Sequence, residues 1–287
     1  MTSDFHGQSR NSADLKNTLE RIAGAGFSHV HWCHEFNTCY MYSVYEMFQI
    51  KEWCDEAGLL VKGVHASIGE KNSDLKNYIS SNEYNRMAGV DLVKNRIEMA
   101  RILETDSIVL HFNFPWECVG NDNNLNVSLK PVFKSLDELE PYCRIRKVKI
   151  CIENSGGSPA QCNPVYDILF GRYSGDFLGL CFDTGHANHC KGNCLEYAQR
   201  YNDRLFMIHV DDNHGESDEH TLPFEGIFDW EGFVPVLAGS PYEFPVLLEP
   251  IYREEEKDDT AWLKRAFDAG NRFSEMVEKR RQMSIFG

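Results

Sequence analysis

Short apolar runs alternate along this chain with longer stretches whose apolar residues recur at helical spacing. Runs rich in Val, Ile, Leu or Phe predict seven β-strands, at residues 28–33, 60–65, 107–112, 148–153, 177–183, 205–210 and 244–249. Residues 3–6 are an eighth candidate, ahead of the first predicted helix. Several runs are apolar almost throughout, which is typical of parallel strands buried on both faces.

Amphipathic stretches fill the intervals between these runs. They predict helices around residues 15–22, 48–56, 90–103, 132–142, 165–170, 195–201, 233–237 and 262–277. Eight βα units without a linker predict an α/β fold, with one (β/α)₈ barrel domain over residues 1–287. The alternative is an open doubly wound sheet, but no GxGxxG motif follows the first strand, so a dinucleotide site is not supported.

Metal-binding residue types stand at the ends of the predicted strands. In a (β/α)₈ barrel the active site is built at the carboxyl ends of the strands. Six successive predicted strands end in, or close to, an imidazole or a carboxylate, and the loop after residues 205–210 adds an Asp-x-His pair. These residues are His65, His111, Glu153, Asp183 with His186, His209, Glu249, and the pair Asp218 and His220.

The convergence of these side chains predicts a divalent cation. A single His on an apolar strand is usually a hydrogen-bonded core residue, and a single Glu at a strand end is usually solvated. Carboxylates that meet at one small mouth repel one another and need a cation to neutralise them. Imidazole is a poor calcium ligand, so the set favours Zn²⁺ or Mn²⁺, with Mg²⁺ and Co²⁺ as further candidates.

Four motifs around these residues resemble those of the xylose isomerase-like (β/α)₈ superfamily. The motifs are CIENSGG, CFDTGHANH, IHVDDN with the later DEH, and VLLEP. This superfamily contains sugar isomerases and epimerases, inosose dehydratases and endonuclease IV-type apurinic endonucleases. The resemblance extends from about Leu15 to Ala266, with the motifs in the correct order.

The resemblance implies roles for individual residues. The core metal ligands of the family correspond to Glu153, Asp183, His209 and Glu249. In ketose 3-epimerase-like members, the two glutamates remove and return a proton through a metal-stabilised enediolate. His186 resembles the ligand for a substrate hydroxyl, and four residues would bind further hydroxyls or hold extra metals: His65, His111, Asp218 and His220. A sugar or sugar-like polyol isomerase or epimerase with one divalent ion is therefore predicted.

Endonuclease-type members provide the main alternative. They use three metals, and this chain has a candidate for every ligand position. The alternative prediction is thus a phosphodiesterase that holds up to three ions and cleaves abasic DNA. A non-catalytic metal- or sugar-binding protein on the same scaffold is a second alternative.

One loop resembles a sugar-isomerase pattern, with a substitution at one position, and an Arg expected before this loop is missing. HTLPFEGIFDW, residues 220–230, is similar to the HxxPGEGxIDW pattern of sugar isomerases in this superfamily. Phe224 stands where that pattern has Gly, and no Arg follows His209 closely, as it does in several keto-sugar epimerases. Phe224 would reshape the loop, and the missing Arg weighs against a strict ketose 3-epimerase.

Net charge ranks the candidate partners. The 287 residues include 29 basic and 44 acidic side chains, which gives a formal charge of −15. This charge, together with loops poor in Lys and Arg after the strands, argues against nucleic acid and membrane surfaces, because both are anionic. It favours a small-molecule sugar or sugar-like substrate, and the sequence is compatible with a homo-oligomer.

Aromatic side chains near two strand ends have two interpretations. They would either line a carbohydrate pocket or cap the barrel core. The residues are His31, Trp32, His34, Phe36, Phe112, Phe114 and Trp116.

The ten cysteines form no CxxC pair and mostly lie in apolar stretches, which predicts buried free thiols. No apolar leader opens the sequence and no run of 18 apolar residues occurs, so we expect a cytoplasmic protein.

Overall fold

Six parallel strands form the centre of the protein, which we describe from a computed structural model for residues 1–6, 12–190, 192–243 and 245–286. Each strand pairs with the next one along the chain. The strands are β1 (His29–Trp32), β2 (Leu60–Ala66), β3 (Ser107–His111), β4 (Lys149–Glu153), β5 (Leu178–Asp183) and β6 (Leu205–His209).

Helices connect the strands, as the parallel pairing requires. They are α1 (Ser12–Gly24), α2 (Val44–Ala57), α3 (Glu83–Ile102), α4 (Asp122–Arg146), α5 (Pro159–Arg172), α6 (Thr184–His189), α7 (Glu196–Arg200), α8 (Trp230–Ala238) and α9 (Asp259–Phe286). Within the described residues, none of these helices has the length and apolar character needed to cross a bilayer.

Two short segments close the sheet into a barrel. Thr2 forms a parallel bridge with His31 of β1, and Leu248 forms one with Val210, just after β6. The N–H of Thr2 donates to the carbonyl oxygen of Leu248 over 2.9 Å, which joins the two edges. The predicted (β/α)₈ barrel is therefore confirmed. Two of its eight strand positions, at Thr2 and Leu248, are much shorter than the sequence indicates.

The candidate strand at residues 3–6 is wrong. These residues form turns, and the strand contact is made earlier, at Thr2. Phe5, the apolar residue that supported the prediction, stacks on Trp262 of α9 with ring centroids 5.6 Å apart. The side chain thus belongs to the packing between barrel and helix and does not extend the sheet.

The predicted strand at residues 244–249 is shortened for a different reason. Its bridge to Val210 is at Leu248, and Phe244 lies outside the described residues. Pro245 and Pro250 flank the paired positions. Since proline has no N–H to donate, neither end of the run can extend the ladder.

Several helices begin well before their apolar pattern. The side chain of Ser43 accepts from Glu46 N–H and that of Glu46 accepts from Ser43 N–H, a capping box that starts α2. Asn82 and Asn121 cap α3 and α4 in a similar way. Polar first turns of this kind leave no apolar periodicity, so the pattern locates the packed centre of a helix better than its start.

An apolar layer fills the barrel just below the strand ends. Its buried members are Val109, Cys151, Cys181, Met207 and Leu247. Each of them lies two positions before a candidate ligand, so alternation along the strand directs both side chains into the barrel. All ten cysteines are free and seven are buried, as expected from their apolar surroundings.

Helix α3 packs closely against the loop that precedes it, and a substitution can test this contact. Gly89 is buried in α3, and a Cβ there would overlap the backbone of Tyr78. Gly89→Ala should lower the free energy of unfolding by about 1–3 kcal/mol, because the loop or the helix has to shift. Urea unfolding measures the change.

Gly171 is the matched control, since it lies in α5 and a Cβ there would meet no atom within 4 Å. Gly171→Ala should stabilise the protein by about 0.5–1 kcal/mol through helix propensity alone. Equal effects of the two substitutions would contradict the close packing at Gly89.

Candidate metal centre

Strand register brings the candidate ligands to one level at the carboxyl end of the barrel. His111 on β3 is the register partner of Glu153 on β4. Asp183 on β5 is likewise the partner of His209 on β6. Neighbouring parallel strands direct paired side chains to the same face, so these four side chains converge inside the barrel mouth.

The four residues assigned by resemblance to the core metal form a compact group, which we call the core group. His209 Nδ1 lies 2.6 Å from Glu249 Oε2, 3.1 Å from Glu153 Oε1 and 3.8 Å from Asp183 Oδ2. One donor atom from each residue lies within 4.8 Å of all the others. The imidazole is therefore surrounded by three carboxylates, an arrangement that can hold one divalent cation.

The charge balance of the core group fits a cation. Burial, with Asp211 and Glu153 nearby, raises the pKa of Asp183 well above its usual range, although His186 acts against this. Asp183 Oδ2 is buried and has no hydrogen-bond partner among the described residues. An ionised carboxylate in that position needs a compensating positive charge, which a divalent ion supplies.

The two glutamates of the core group are ionised at neutral pH. Burial favours the neutral form of Glu249, but the adjacent His209 lowers its pKa to about 2. Burial also favours the neutral form of Glu153, but His111 and His209 hold its pKa well below its usual range. Both side chains are thus available as ligands and as bases.

A second donor group shares Glu153 with the core group. His111 Nε2 lies 2.9 Å and His65 Nε2 lies 3.4 Å from Glu153 Oε2. His65 Nδ1 lies 3.2 Å from the carbonyl oxygen of Ala66, and a hydrogen bond there leaves Nε2 unprotonated and facing the site. The two imidazoles and the shared carboxylate can therefore hold an ion beside the core group.

A third donor group lies at the acidic loop that follows β6. His220 lies between two carboxylates, with Nδ1 3.2 Å from Asp211 Oδ2 and Nε2 3.1 Å from Asp218 Oδ2. Burial acts to lower the pKa of His220, but these carboxylates raise it to about 12. Asp211 is buried, and neither carboxylate oxygen has a hydrogen-bond partner among the described residues.

His186 connects the donor groups. Its Nδ1 lies 3.3 Å from Glu153 Oε1, and its Nε2 lies 3.3 Å from Asp218 Oδ2. The position is fixed by a short helix, α6, whose N-cap is Asp183: Asp183 Oδ1 accepts from the N–H of His186 over 2.6 Å. The spacing of three residues between these two side chains is therefore that of a helix N-cap and its first turn.

Asp212 organises the acidic loop from inside. Its carboxylate accepts hydrogen bonds from the N–H groups of Phe224 and Phe228 and from the indole N–H of Trp230. Phe224 has a φ of +73°, the left-handed conformation that glycine adopts without cost, which explains the Gly in the sugar-isomerase pattern. The guanidinium of Arg272 lies over the Phe224 ring, 3.8 Å from its centroid, a favourable cation–π contact.

A cavity of about 680 Å³ opens above the three donor groups. Carboxylates dominate its charged lining: Asp4, Glu70, Asp74, Glu153, Asp218 and Glu249. Lys71 is the only Lys or Arg that the described residues contribute to the lining. A cavity of this size and charge suits a small, uncharged polar molecule.

Some of the aromatic residues near the strand ends line the cavity, and others pack in the core. Phe36 lines the cavity, and its ring centroid is 4.4 Å from that of His65. Phe112, Phe114 and Trp116 pack on one another in the core, outside the cavity lining. Trp32 and His34 are also buried away from it, and His34 Nε2 lies 3.1 Å from the carbonyl oxygen of Ser3.

Three residues of the site were not predicted from the sequence to be metal ligands or supports of a ligand. Asp211 joins the third donor group. Asn154 holds the strand end at Asp183, since its amide donates to Asp183 O over 3.0 Å and accepts from Asp183 N–H over 2.6 Å. His31 lies with its Nε2 3.2 Å from His209 Nε2. For His31, the signal available in the sequence was the alternation of side chains along β1, which directs His31 toward the interior of the barrel.

Comparison with known proteins places this architecture among relatives. Residues 19–268 match the model of the family described as xylose isomerase-like TIM barrel. The y4fM protein of Sinorhizobium fredii is 32% identical over 282 residues, which cover 93% of this chain and 91% of the relative.

Two further matches have functional names. A probable endonuclease 4 of Oceanobacillus iheyensis is 28% identical over 160 residues, covering 50% of this chain and 51% of that protein. The structure of an L-ribulose 3-epimerase superposes with a TM-score of 0.72 at 15% identity, over all of this chain and 96% of the epimerase. At that level of identity the superposition shows a shared fold.

Metal analysis tests the core group directly. Purified protein should contain at least one divalent ion per chain, and Glu249→Gln should weaken its binding at least about tenfold, because a charged ligand is lost. Plasma mass spectrometry and chelator competition measure both quantities. Protein that is free of metal and indifferent to added ions would contradict the assignment.

Proton release on metal binding gives an independent test. Besides Asp183, the metal-free site holds protons on His209 and His186. Burial lowers the pKa of each, but Cys181, Glu249 and Glu153 raise that of His209 well above its usual range. Asp183, Asp218 and Glu153 do the same for His186. A cation must displace such protons, so its apparent affinity should rise with pH by about tenfold per pH unit for each proton released.

Calorimetric titrations in two buffers of different ionisation enthalpy count the released protons near pH 7. We expect at least one proton per ion bound. A binding enthalpy independent of the buffer would show that the metal-free ligands are already deprotonated.

Proposed function

The chain belongs to the xylose isomerase-like TIM barrel family, and within it we propose that the protein is a divalent-metal-dependent isomerase or epimerase of sugars or sugar-like polyols. One observation carries the proposal: Glu153 and Glu249 belong to the core group and also line the cavity above it. Two ionised carboxylates are thus available to a bound substrate next to a site suited to a cation.

The proposed ligands of the cation are the four residues of the core group. When bound, a divalent ion would polarise a substrate carbonyl and stabilise negative charge on its oxygen. Glu153, Asp183 and His209 are fully buried and would keep their positions during turnover. Glu249 is partly exposed to the cavity and retains access to a substrate.

In this proposal the two glutamates transfer the proton. One carboxylate removes the proton from the carbon next to the substrate carbonyl, and an enediolate results. In an epimerisation the other glutamate would first take up a proton from solvent and then return it to the opposite face, while the first glutamate releases the abstracted proton to solvent after turnover. His186 lines the cavity and can hold a substrate hydroxyl.

The charge of the cavity favours a neutral substrate over a phosphorylated one. Six carboxylates face it, against one lysine from the described residues and the imidazoles of His186 and His220, whose pKa values are raised. A phosphate group would meet repulsion from the lining unless a cation lay beside it. Hydroxyl groups can instead donate hydrogen bonds to the carboxylates.

A trinuclear phosphodiesterase acting on abasic DNA is the second candidate. The observation that favours it is that the described residues form several overlapping donor groups: the three described above, and a fourth made of His65, His209 and Glu249. The relative named probable endonuclease 4 agrees with this alternative over half the chain. The acidic lining weighs against it, because a DNA backbone requires Lys and Arg along its path.

Deuterium incorporation tests the primary proposal. Incubation of metal-loaded protein with a panel of keto-sugars in D₂O should place deuterium on a sugar carbon, detected by NMR. Glu153→Gln and Glu249→Gln should each slow this exchange by about 10²–10⁴-fold, since each removes a base. Glu231→Gln, on the exposed surface of α8, is the control and should leave the rate unchanged.

A parallel assay with an abasic DNA duplex separates the two candidates. Cleavage of the duplex, together with no exchange across the sugar panel, would reverse their order. The number of bound ions adds to the decision, because three ions per chain favour the nuclease and one favours the epimerase.

A further inference from the structure

His31 is the polar member of an otherwise apolar layer inside the barrel. It is the register partner of Gly63, and both positions face inward, beside the apolar layer below the core group. His31 is fully buried. An imidazole in such surroundings loses its hydration, so its retention at this level requires a compensating interaction.

The compensating interaction is with a proposed metal ligand. His31 Nε2 lies 3.2 Å from His209 Nε2, within hydrogen-bond distance. Two lone pairs at that separation repel each other, so one of the two nitrogens must carry a proton. His31 Nδ1 has no hydrogen-bond partner among the described residues, so the contact with His209 is the side-chain hydrogen bond that this ring makes.

The direction of the hydrogen bond follows from the geometry of the core group. His209 directs Nδ1 toward Glu249 and Glu153, at 2.6 and 3.1 Å. If Nδ1 is the metal-binding atom, its lone pair must be free, and the neutral ring then carries its proton on Nε2. The Nε2–H of His209 faces His31, whose Nε2 must accept it.

We propose that His31 is a positioning residue that accepts a hydrogen bond from His209 Nε2–H and thereby holds His209 in the metal-binding tautomer and orientation. The inference rests on the proposed cation at the core group. Partners of this kind on ligand histidines fix the ring and increase its basicity, and their loss typically weakens metal binding about 10–100-fold.

Gly63 makes room for this arrangement. A Cβ at position 63 would lie 2.9 Å from His31 Nδ1 and 2.6 Å from the terminal methyl of Met207. The imidazole therefore occupies space that only a glycine on the neighbouring strand leaves open. Its orientation toward His209 is set by packing on one side and by the hydrogen bond on the other.

Co²⁺ titration of the full chain tests the proposal, with affinity measured by chelator competition and geometry by visible absorption. His31→Leu removes the acceptor and should weaken Co²⁺ binding about 10–100-fold and change the absorption spectrum. His31→Gln, whose amide oxygen can accept from His209, should recover most of the affinity and the spectrum.

His34→Leu is the matched control. His34 is also a buried histidine just after β1, but it contacts the carbonyl oxygen of Ser3 and no proposed ligand. This substitution should lower stability without changing Co²⁺ affinity. Equal losses of affinity in His34→Leu and His31→Leu would overturn the positioning role and indicate a general packing defect.

Tautomer assignment in the wild-type protein requires no variant to fold. Long-range ¹H–¹⁵N NMR of the Zn²⁺-loaded protein should place the proton of His209 on Nε2, and a proton on Nδ1 would overturn the inference. Unchanged Co²⁺ binding by His31→Leu would overturn it while leaving the proposed metal centre intact. Wild-type protein that binds neither ion would overturn both.

Discussion

Repulsion between buried carboxylates is the constraint on which the rest of this site depends. Glu153, Asp183 and Asp211 are fully buried at the barrel mouth, and Glu249 is only partly exposed. Histidines surround them and offset part of the charge, yet Asp183 retains an oxygen without a hydrogen-bond partner among the described residues. A cation resolves this conflict more completely than protonation, because it satisfies several carboxylates at once.

The barrel supplies the rigidity that keeps such charges together. Pairing of β3 with β4, and of β5 with β6 beyond a register shift between Leu180 and Cys181, sets the level of the ligands, and a buried apolar layer lies beneath them. Closure through Thr2 and Leu248 fixes the relative position of the two edges. Ligands on strands are more precisely positioned than ligands on loops. The third donor group depends on the acidic loop, and Glu249 of the core group directly follows the isolated bridge at Leu248.

Sequence patterns predicted the parts of this protein that follow a simple periodicity. Buried parallel strands gave six correct strands, and the residues at the ends of the predicted strands include all four members of the core group. The strand contact at Thr2 was missed because an isolated bridge leaves no apolar run, and the run at residues 244–249 predicted a longer strand than the bridge at Leu248. The polar helix starts were missed because capping residues leave no apolar pattern. His31 and Asp211 were not assigned to the site because their roles depend on contacts between distant segments.

The position of Glu153 between two donor groups affects how more than one ion would bind. One of its oxygens faces His209 and His186, and the other faces His65 and His111. Two of the three donor groups therefore compete for, or share, a single negative charge. Ions entering these groups would not bind independently, because the first would draw on the negative charge that attracts the second.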